Sequence, residues 1–340
     1  MEGTQNILDI KNLKVSFFTE EGEVCAVNNV NFSIPKGKIM ALVGESGCGK
    51  SVTSYSILRL IQKPGKIVGG EIIFHADNHK SFDILSLGND SDELYNLRGN
   101  RISMIFQEPM TALSPVHTIG NQICEGLLIH QKISKAEARK KAIEMLSKVG
   151  IPGAEQRIDQ YPFELSGGMR QRVVIAMAMV CHPELLIADE PTTALDVTIQ
   201  AQILKLMKDL QQDFNTSVLL ITHDLGVVAQ VADEVAVMYL GRVVERSTVQ
   251  TIMTEARHPY TRALLQSLPS MSAGKDRLPS IAGSVPSLTK IPKGCPFHPR
   301  CPHCKKDVCD VGEAPVLTSI GSNHEAACLR INDLVLESSS

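Results

Sequence analysis

The 340-residue chain contains no uninterrupted apolar stretch of the roughly 18 residues that a membrane-spanning helix needs. Its N-terminus also lacks the basic and apolar regions of a secretory signal. The formal net charge is only -3 at pH 7, which provides no general attraction to nucleic acid. These absences predict a soluble, cytoplasmic chain. With 43% hydrophobic residues, it is long enough for one large α/β core and a smaller attached unit.

A phosphate-binding pattern, a glycine followed by four free positions and then Gly-Lys-Ser, occupies Gly44–Ser51. Ile39–Val43 predicts a buried strand that leads into it, and Val52–Ile61 predicts the helix that leaves it. Glycines let successive backbone amides turn toward phosphates, and the helix N-terminus adds partial positive charge. Lys50 would then reach the outer phosphates, and the Ser51 hydroxyl would bind Mg²⁺.

Two adjacent acids, Asp189 and Glu190, follow the apolar run 185–188. Buried carboxylates need partners or a metal, although a strand end that simply reaches solvent is the plainer alternative. Asp189 can orient Mg²⁺ through its water shell, and Glu190 can polarise an attacking water. Beside the phosphate-binding loop, this pair predicts nucleotide hydrolysis.

The remaining pattern predicts alternating elements. Ser134 begins a capping-box pattern for a helix over 134–149, and a second, largely apolar helix begins near Ser166. From 182 to 245 strand and helix patterns alternate, as a parallel sheet with crossover helices requires. The sheet is predicted to end after Gly241.

Taken together, these residues resemble the ATPase subunit of ATP-binding-cassette transporters. The resemblance implies the fold class α/β: an ATP-binding-cassette P-loop ATPase with a mixed sheet, a helical subdomain and a small cysteine-rich C-terminal extension. The cassette would span 1–255, with the helical subdomain at about 110–180, and the extension would span 256–340. Residues 165–172 resemble the family's signature, which contacts the γ-phosphate of an ATP bound to the opposite subunit.

The resemblance also implies roles for individual residues. Glu190 and His223 would be catalytic, and Ser51, Gln107 and Asp189 would hold Mg²⁺. Contacts to ATP would come from Phe17, Gly44, Glu45, Ser46, Gly47, Cys48, Gly49, Lys50, Ser51, Gln107, Ser166, Gly167, Gly168 and Asp196.

The adenine contact has an alternative residue, and the signature departs from the family pattern at one position. Phe18 competes with Phe17 as the aromatic against the adenine. Many members of the family carry Gln where this chain has Met169. The serine hydroxyl and glycine amides of the signature remain, so binding to the opposite nucleotide is expected to survive.

The C-terminal third adds a second resemblance. Residues His258–Leu265 and Gly283–Pro286 are similar to the extension on ATPase subunits of oligopeptide, dipeptide and nickel importers. The implied function is ATP hydrolysis that powers import of dipeptides or oligopeptides, as in the dipeptide-importer type. Nickel or another small solute stays open as the cargo.

Cysteine usage predicts a metal centre in this extension. Of the nine cysteines, Cys25, Cys48, Cys124 and Cys181 are scattered and are interpreted as incidental thiols. The dense group near the C-terminus argues for metal rather than disulfides in a cytosolic chain. Its members are Cys295, Cys301, Cys304, Cys309 and Cys328.

Four thiolates suit a [4Fe-4S] cluster or a structural zinc. The resemblance favours the cluster, held by Cys295, Cys301, Cys309 and Cys328, with zinc and unmetallated thiols as alternatives. The interval between Cys301 and Cys309 is one residue longer than the family pattern, so Cys304 is a possible substitute ligand. The nearby histidines are expected to be solvated; they are His298, His303 and His324.

The resemblance implies partners as well. They are two transmembrane permease subunits, a second related ATPase subunit (a heterodimer, with a homodimer open) and an extracellular or periplasmic substrate-binding protein, with no nucleic acid. The chain would sit peripherally on the cytoplasmic face of the membrane. The main rival is a soluble cassette ATPase that acts on nucleic acid or ribosomes. A single phosphate-binding loop, a single signature and an interval too short for a long coiled coil speak against it.

Overall fold

The computed structural model describes residues 6–76, 81–107, 112–193, 195–268 and 281–334. They form two compact units. The first unit is built mainly from residues 34–39 and 75–221, and the second from 8–33, 40–74 and the described residues after 221.

The strands are β1 (Asn6–Thr19), β2 (Gly22–Pro35), β3 (Ile39–Val43), β4 (Gly65–His75), β5 (Ser81–Asp83), β6 (Ile102–Ile105), β7 (Leu185–Asp189), β8 (Ser217–Thr222), β9 (Glu234–Tyr239), β10 (Arg242–Thr248), β11 (Thr318–Gly321) and β12 (His324–Ala326). The helices are α1 (Lys50–Ile57), α2 (Asp92–Leu97), α3 (Ile119–His130), α4 (Lys135–Lys148), α5 (Ala154–Arg157), α6 (Gly167–Met179), α7 (Val197–Phe214), α8 (Leu225–Val231), α9 (Val249–Glu255) and α10 (Pro259–Gln266). No helix in these ranges is both long and apolar enough to cross a membrane.

The first unit combines a parallel strand layer with a group of helices. Strand β7 pairs in parallel with β6 on one side and β8 on the other. All of its residues are buried, which is typical of a strand covered on both faces. Helices α3, α4 and α6 pack on one another. The predicted capping box is confirmed, because the Ser134 hydroxyl accepts from the Glu137 amide at 3.2 Å and the Glu137 carboxylate accepts from the Ser134 amide at 2.8 Å.

The second unit contains a mixed sheet. Strand β9 pairs in parallel with β3 and antiparallel with β10, which in turn pairs with β12. The prediction that the sheet ends after Gly241 is therefore wrong. Leu240 and Gly241 both have positive φ, 43° and 75°, and form the tight turn of the β9–β10 hairpin. A glycine signals a turn as readily as it signals an end, so the sequence alone could not separate the two.

The elements around the phosphate-binding loop are close to those predicted. Strand β3 spans Ile39–Val43 as expected. Helix α1, however, ends at Ile57 rather than Ile61, because Arg59 adopts a left-handed φ of 53° that a helix cannot contain. The alternation from 182 to 245 is confirmed by the order β7, α7, β8, α8, β9 and β10.

Candidate active site

The phosphate-binding loop connects β3 to α1 in the second unit. Gly44 has a φ of 156°, and a side chain there would collide with the carbonyl oxygen of Met238 and approach the Cys48 sulfur to 2.8 Å. Gly49 has a φ of 103° and faces the carbonyl oxygen of Ala26. Only glycine fits two such positions. The loop is consequently a tight backbone cradle packed against neighbouring main chain.

Lys50 points back into this cradle. Its ammonium Nζ donates to the carbonyl oxygens of Gly44 and Glu45 at 2.8 and 3.1 Å. The residue is only 5% exposed. A buried ammonium held by neutral carbonyl acceptors can exchange them for phosphate oxygens, with which a charge-assisted hydrogen bond is stronger.

Other loop positions differ in exposure. Ser46 and Gly47 are exposed, Ser51 is half-buried and Cys48 is buried. Burial raises the pKa of the Cys48 thiol above its ordinary value, so it stays a neutral thiol near pH 7. Cys48 therefore fills space under the cradle, as an incidental thiol would.

Glu45 is turned away from the open side of the loop. Its carboxylate accepts two hydrogen bonds from the Arg300 guanidinium at 2.7 and 3.0 Å. Its backbone amide donates to the Tyr260 hydroxyl at 3.0 Å. Sequence reasoning assigned neither partner to this role, because no spacing pattern connects residues so far apart along the chain.

The two candidate aromatics for adenine lie near the end of β1. Phe17 is half-buried and pairs with Gly65 across the sheet. Phe18 is 46% exposed, and the Lys66 ammonium lies 5.7 Å from its ring centre. Both rings are accessible enough to stack on a base, so the choice between them stays a prediction.

His223 follows β8 and is exposed. The turn around it is fixed locally, because the Thr222 hydroxyl accepts from the Asp224 amide at 3.1 Å. The Asp224 carboxylate then caps α8 by accepting from the Gly226 amide at 2.7 Å. The imidazole thus projects from an ordered strand-to-helix turn.

Asp189 and Glu190 stand at the end of β7 in the first unit. Asp189 is completely buried. Glu190 has a positive φ of 46°, a conformation that costs a non-glycine residue about 1–3 kcal/mol and occurs often at functional sites. Its carboxylate accepts from the Thr193 hydroxyl at 3.0 Å, and its amide donates to the Ile221 carbonyl at 2.9 Å. Asp189 is therefore enclosed in the core, whereas the Glu190 carboxylate is held by the turn that follows β7.

The serine of the predicted signature caps α6. Its hydroxyl accepts from the Met169 amide at 3.4 Å, and a side chain added at Gly167 would meet only open space. Asp196 caps α7 in the same way, accepting from the Ile199 amide at 2.9 Å. Both helix starts hold backbone amides and partial positive charge, which suit an incoming phosphate.

One buried residue of this unit escaped sequence reasoning. The Gln171 side chain in α6 is 1% exposed and donates to the Pro191 carbonyl at 2.6 Å. It thereby ties the signature helix to the turn that follows Glu190. Gln171 lies between Arg170 and Arg172 in the sequence, so no local signal marks its side chain as buried.

The predicted site residues divide between the two units. Phe17, Gly44–Ser51 and His223 belong to the second unit, and Gln107, Ser166–Gly168, Asp189, Glu190 and Asp196 belong to the first. Gln107 is exposed and follows β6.

A cavity in the extension brings four of the five clustered cysteines together. It is lined by Cys295, Cys301, Cys309 and Cys328, whereas Cys304 is exposed and lies outside the lining. Burial raises the pKa of Cys295 to about 12 and that of Cys301 to about 11. Within the described ranges, no group of three or more His, Cys, Asp or Glu side chains is arranged to hold a metal ion.

The histidines near this cavity are not all solvated. His324 is 6% exposed, and its Nε2 lies 2.8 Å from a carboxylate oxygen of Glu245, which is itself fully buried. The expectation for His324 was therefore wrong, because its partner comes from a distant strand. His258 is also buried, and burial lowers its pKa to about 4, so its imidazole is neutral near pH 7.

Two known protein families match the chain. Residues 27–193 match the family described as ABC transporter. Residues 244–309 match the oligopeptide/dipeptide transporter C-terminal region. The two matched regions contain the phosphate-binding loop and most of the cysteine cluster, respectively.

Individual relatives and solved structures agree with these matches. Oligopeptide transport ATP-binding protein AppD of Bacillus subtilis (strain 168) is 53% identical over 313 residues, 92% of this chain and 93% of AppD. The probable peptide ABC transporter ATP-binding protein y4tR of Sinorhizobium fredii is 52% identical over 335 residues, 97% of this chain and 96% of y4tR. The dimeric post-hydrolysis structure of the ATP-binding cassette MJ0796, bound to ADP and Pi, is 30% identical with a TM-score of 0.61, covering 71% of this chain and 98% of that one. This match confirms the predicted mixed α/β cassette fold.

Proposed function

Because the chain belongs to the ABC transporter family, we propose that it is the ATP-hydrolysing subunit of an importer for dipeptides or oligopeptides. The observation that carries the proposal is the presence of both matched regions in one chain, an ATP-binding cassette and the C-terminal region of oligopeptide/dipeptide transporters. A soluble ATPase that acts on nucleic acid or ribosomes would not need the second region. AppD and y4tR are both named for peptide transport, which favours peptides over nickel.

Two features of the cradle fit ATP with Mg²⁺. Side chains at Gly44 and Gly49 would fill the space that the turning backbone needs, and the Lys50 ammonium is already directed at the loop carbonyls. Ser51, Gln107 and Asp189 would hold Mg²⁺, which neutralises charge on the phosphates when it is bound. Phe17 or Phe18 would contact the adenine.

The hydrolytic step is assigned to Glu190 and His223. The carboxylate of Glu190 accepts the proton of an attacking water, and its position is fixed by the Thr193 hydroxyl. His223 holds the γ-phosphate from its ordered turn. The strained φ of Glu190 supports this role, because such strain is retained where geometry matters.

ATP is proposed to bind between two subunits. Ser166, Gly167 and Gly168 would contact the γ-phosphate of the partner's nucleotide, and Asp196 would lie at the interface. The open space beside Gly167 and the dimeric state of the MJ0796 structure support this arrangement. The resemblance to dipeptide importers favours a related second ATPase as the partner, with a second copy of this chain as the alternative.

The remaining partners follow from the peptide-importer assignment. Two transmembrane permeases would contact the helical subdomain at about 110–180, and a substrate-binding protein would deliver the peptide. The chain would lie peripherally on the cytoplasmic face of the membrane. The proposed division into a cassette over 1–255 and an extension over 256–340 separates hydrolysis from the cysteine module.

The four cysteines that line one cavity fit a [4Fe-4S] cluster in their donor chemistry, since such clusters are held by four thiolates. A cluster of four irons is larger than one zinc ion, so its ligands need not converge on a single point. Cys295, Cys301, Cys309 and Cys328 are the proposed ligands, and the exposure of Cys304 argues against its substitution. The cluster would supply a rigid anchor or an electron-accepting group when bound.

The test of the proposed function is Glu190→Gln in the transporter reconstituted with its permeases and partner ATPase. The amide cannot accept the proton, so ATP turnover should fall by at least about 100-fold, while ATP binding persists. Peptide uptake into vesicles should stop in parallel. Asp209→Asn is the matched control, because Asp209 pairs with Lys205 on an exposed helix face.

Several outcomes contradict the proposal. Undiminished hydrolysis in Glu190→Gln would remove this residue from catalysis. If the wild type takes up nickel but not di- or oligopeptides, nickel would replace peptides as the proposed cargo. ATPase activity that responds to nucleic acid rather than to the permeases would favour the rival class.

A further inference from the structure

Arg300 lies against the phosphate-binding loop although it belongs to the cysteine-rich extension. Its Nη1 and Nη2 donate to the two carboxylate oxygens of Glu45 at 2.7 and 3.0 Å. A planar guanidinium matches a carboxylate in this bidentate geometry, which a lysine cannot reproduce. The Arg300 side chain is 4% exposed and that of Glu45 is 26% exposed, so solvent screens the pair less than it screens an ion pair between two fully exposed side chains.

The extension and its neighbouring strand fix the guanidinium in place. Nε of Arg300 donates to the Ala282 carbonyl at 3.1 Å, and Nη2 lies 3.5 Å from the Ile281 carbonyl. Nη1 also lies 3.5 Å from the Tyr239 hydroxyl. Because these contacts hold the guanidinium independently of the loop, Glu45 is drawn to a preformed partner.

Tyr260 provides a second attachment. Its hydroxyl accepts the Glu45 backbone amide at 3.0 Å, and the residue is completely buried. Its ring packs against Tyr239 and Phe297, with ring centres 4.6 and 5.3 Å away. Both the backbone and the side chain of Glu45 are therefore held by residues that lie after position 255.

The position of Glu45 makes this attachment relevant to ATP. Its own carbonyl and that of Gly44 accept from the Lys50 ammonium at 3.1 and 2.8 Å. A carboxylate released from Arg300 would be a negative charge beside the proposed phosphate site, where it would repel the phosphates and compete for Lys50. Arg300 both neutralises this carboxylate and keeps it aside.

We propose that Arg300 is a positioning residue for nucleotide binding, through which the C-terminal extension holds the phosphate-binding loop of the same chain in its ATP-binding form. The inference rests on the proposed function, because it assumes that Gly44–Ser51 binds ATP. Beyond that function, the inference makes the extension necessary for ATP affinity. Arg300, which directly precedes the proposed cluster ligand Cys301, supports the ATP site.

The test is a titration of the whole 340-residue chain with a fluorescent ATP analogue and Mg²⁺, together with kcat and KM for ATP. In Arg300→Met, the Kd and KM should rise about tenfold while kcat changes less than about twofold, because Arg300 does not touch the reacting atoms. Arg300→Lys should recover part of the affinity, since it keeps the charge but loses the bidentate geometry.

The second variant separates electrostatics from packing. Adding Glu45→Gln to Arg300→Met removes the uncompensated carboxylate, so the double variant should bind ATP at least about threefold more tightly than Arg300→Met alone. A residue that acted only by filling space would show no such recovery. If Arg300→Met does not fold, Arg300→Lys takes its place with a smaller expected rise in Kd. Tyr260→Phe tests the second attachment of Glu45, with an expected rise in Kd of about two- to threefold from the loss of one hydrogen bond.

Two controls keep the inference distinct from the proposed function. Arg246→Met removes an ion pair with Glu234 in the same unit without touching the loop, and should leave the Kd unchanged. Lys50→Ala should abolish ATP binding; normal binding there would overturn the proposed site itself. The role of Arg300 would be overturned if Lys50→Ala loses ATP binding while folded Arg300→Met keeps the wild-type Kd. It would also be overturned if the double variant binds ATP no more tightly than Arg300→Met.

Discussion

The phosphate-binding loop and the C-terminal extension obtain their structure in opposite ways. The loop is a short, contiguous segment whose glycines and lysine interact with each other and with adjacent strands. In the part of the extension that the structure describes after α10, the strands are β11 and β12, and side chains that meet across long sequence separations, such as His324 with Glu245, hold it together. The contiguous motif can be read from the sequence together with its contacts, whereas the cysteine group of the extension can be read without the long-range contacts that hold it in place.

The two regions nevertheless meet at Glu45, which contacts both Arg300 and Tyr260 of the extension. Arg300 and Glu45 are separated by 255 residues along the chain. The Arg300 side chain is nevertheless only 4% exposed, compared with 22% for Arg246 in its pair with Glu234. The loop and the extension therefore differ in whether their contacts can be read from the sequence. The shape of the loop nevertheless depends on contacts from both regions.

The largest effect is expected at the cysteine cavity. Cys295→Ser removes one of the four thiols that line it, and under the proposed [4Fe-4S] assignment loss of one ligand should remove most of the iron. Cys304→Ser is the matched control, because Cys304 is exposed, and it should retain wild-type iron. The iron and sulfide content of anaerobically purified protein measures both, together with the visible absorbance of thiolate-ligated iron. Equal loss in the two variants would contradict the assignment of ligands.

Acid should destabilise the extension through His258. Its pKa is lowered from 6.5 to about 4 by burial, so the unfolded state binds more protons between these values. The stability from the neutral imidazole is complete above pH 6.5 and is lost as the pH falls toward 4, on the order of 3 kcal/mol in total. His258→Asn, whose side chain can still accept from the Tyr260 amide, should flatten the decline.

The free energy of unfolding of the metal-free wild type and of metal-free His258→Asn is measured at about pH 7 and at about pH 4.5. Most of the His258 titration lies between these two pH values. Because other carboxylates titrate in both proteins, only the difference between the two declines reports on His258. Parallel declines would show that the imidazole is already solvated.

A smaller effect separates two glycines of the loop. Gly44→Ala would collide with the Met238 carbonyl, whereas a side chain at Gly47 meets nothing within 4 Å. Gly47 still has a φ of 78°, so Gly47→Ala should cost about 1–2 kcal/mol for the left-handed backbone. Gly44→Ala should cost about 2 kcal/mol more, because it adds a steric clash. Urea unfolding measures both, and equal costs would mean that the loop is not packed against β9.

The sequence predicts most of the cassette and, in the extension, the four cysteines that line one cavity, but not the long-range contacts. Strand β3, the Ser134 capping box and the helix that begins near Ser166 depend on local patterns, and local patterns were sufficient. The continuation of the sheet beyond Gly241 depends on the β9–β10 hairpin, and a glycine at a tight turn looks the same in the sequence as a glycine at the end of a sheet. The partners of Glu45 were missed because hydrogen bonds over 215 and 255 residues leave no spacing to read.

The most direct test of the account is amide hydrogen exchange over Glu45–Gly49, without nucleotide, in wild type, Arg300→Met and Arg246→Met. If the extension holds the loop, exchange at these amides should accelerate at least about tenfold in Arg300→Met and stay at the wild-type rate in Arg246→Met, while β3 remains protected in all three. Unchanged protection of the loop in a folded Arg300→Met protein would show that the loop keeps its shape without the extension, and would contradict the account.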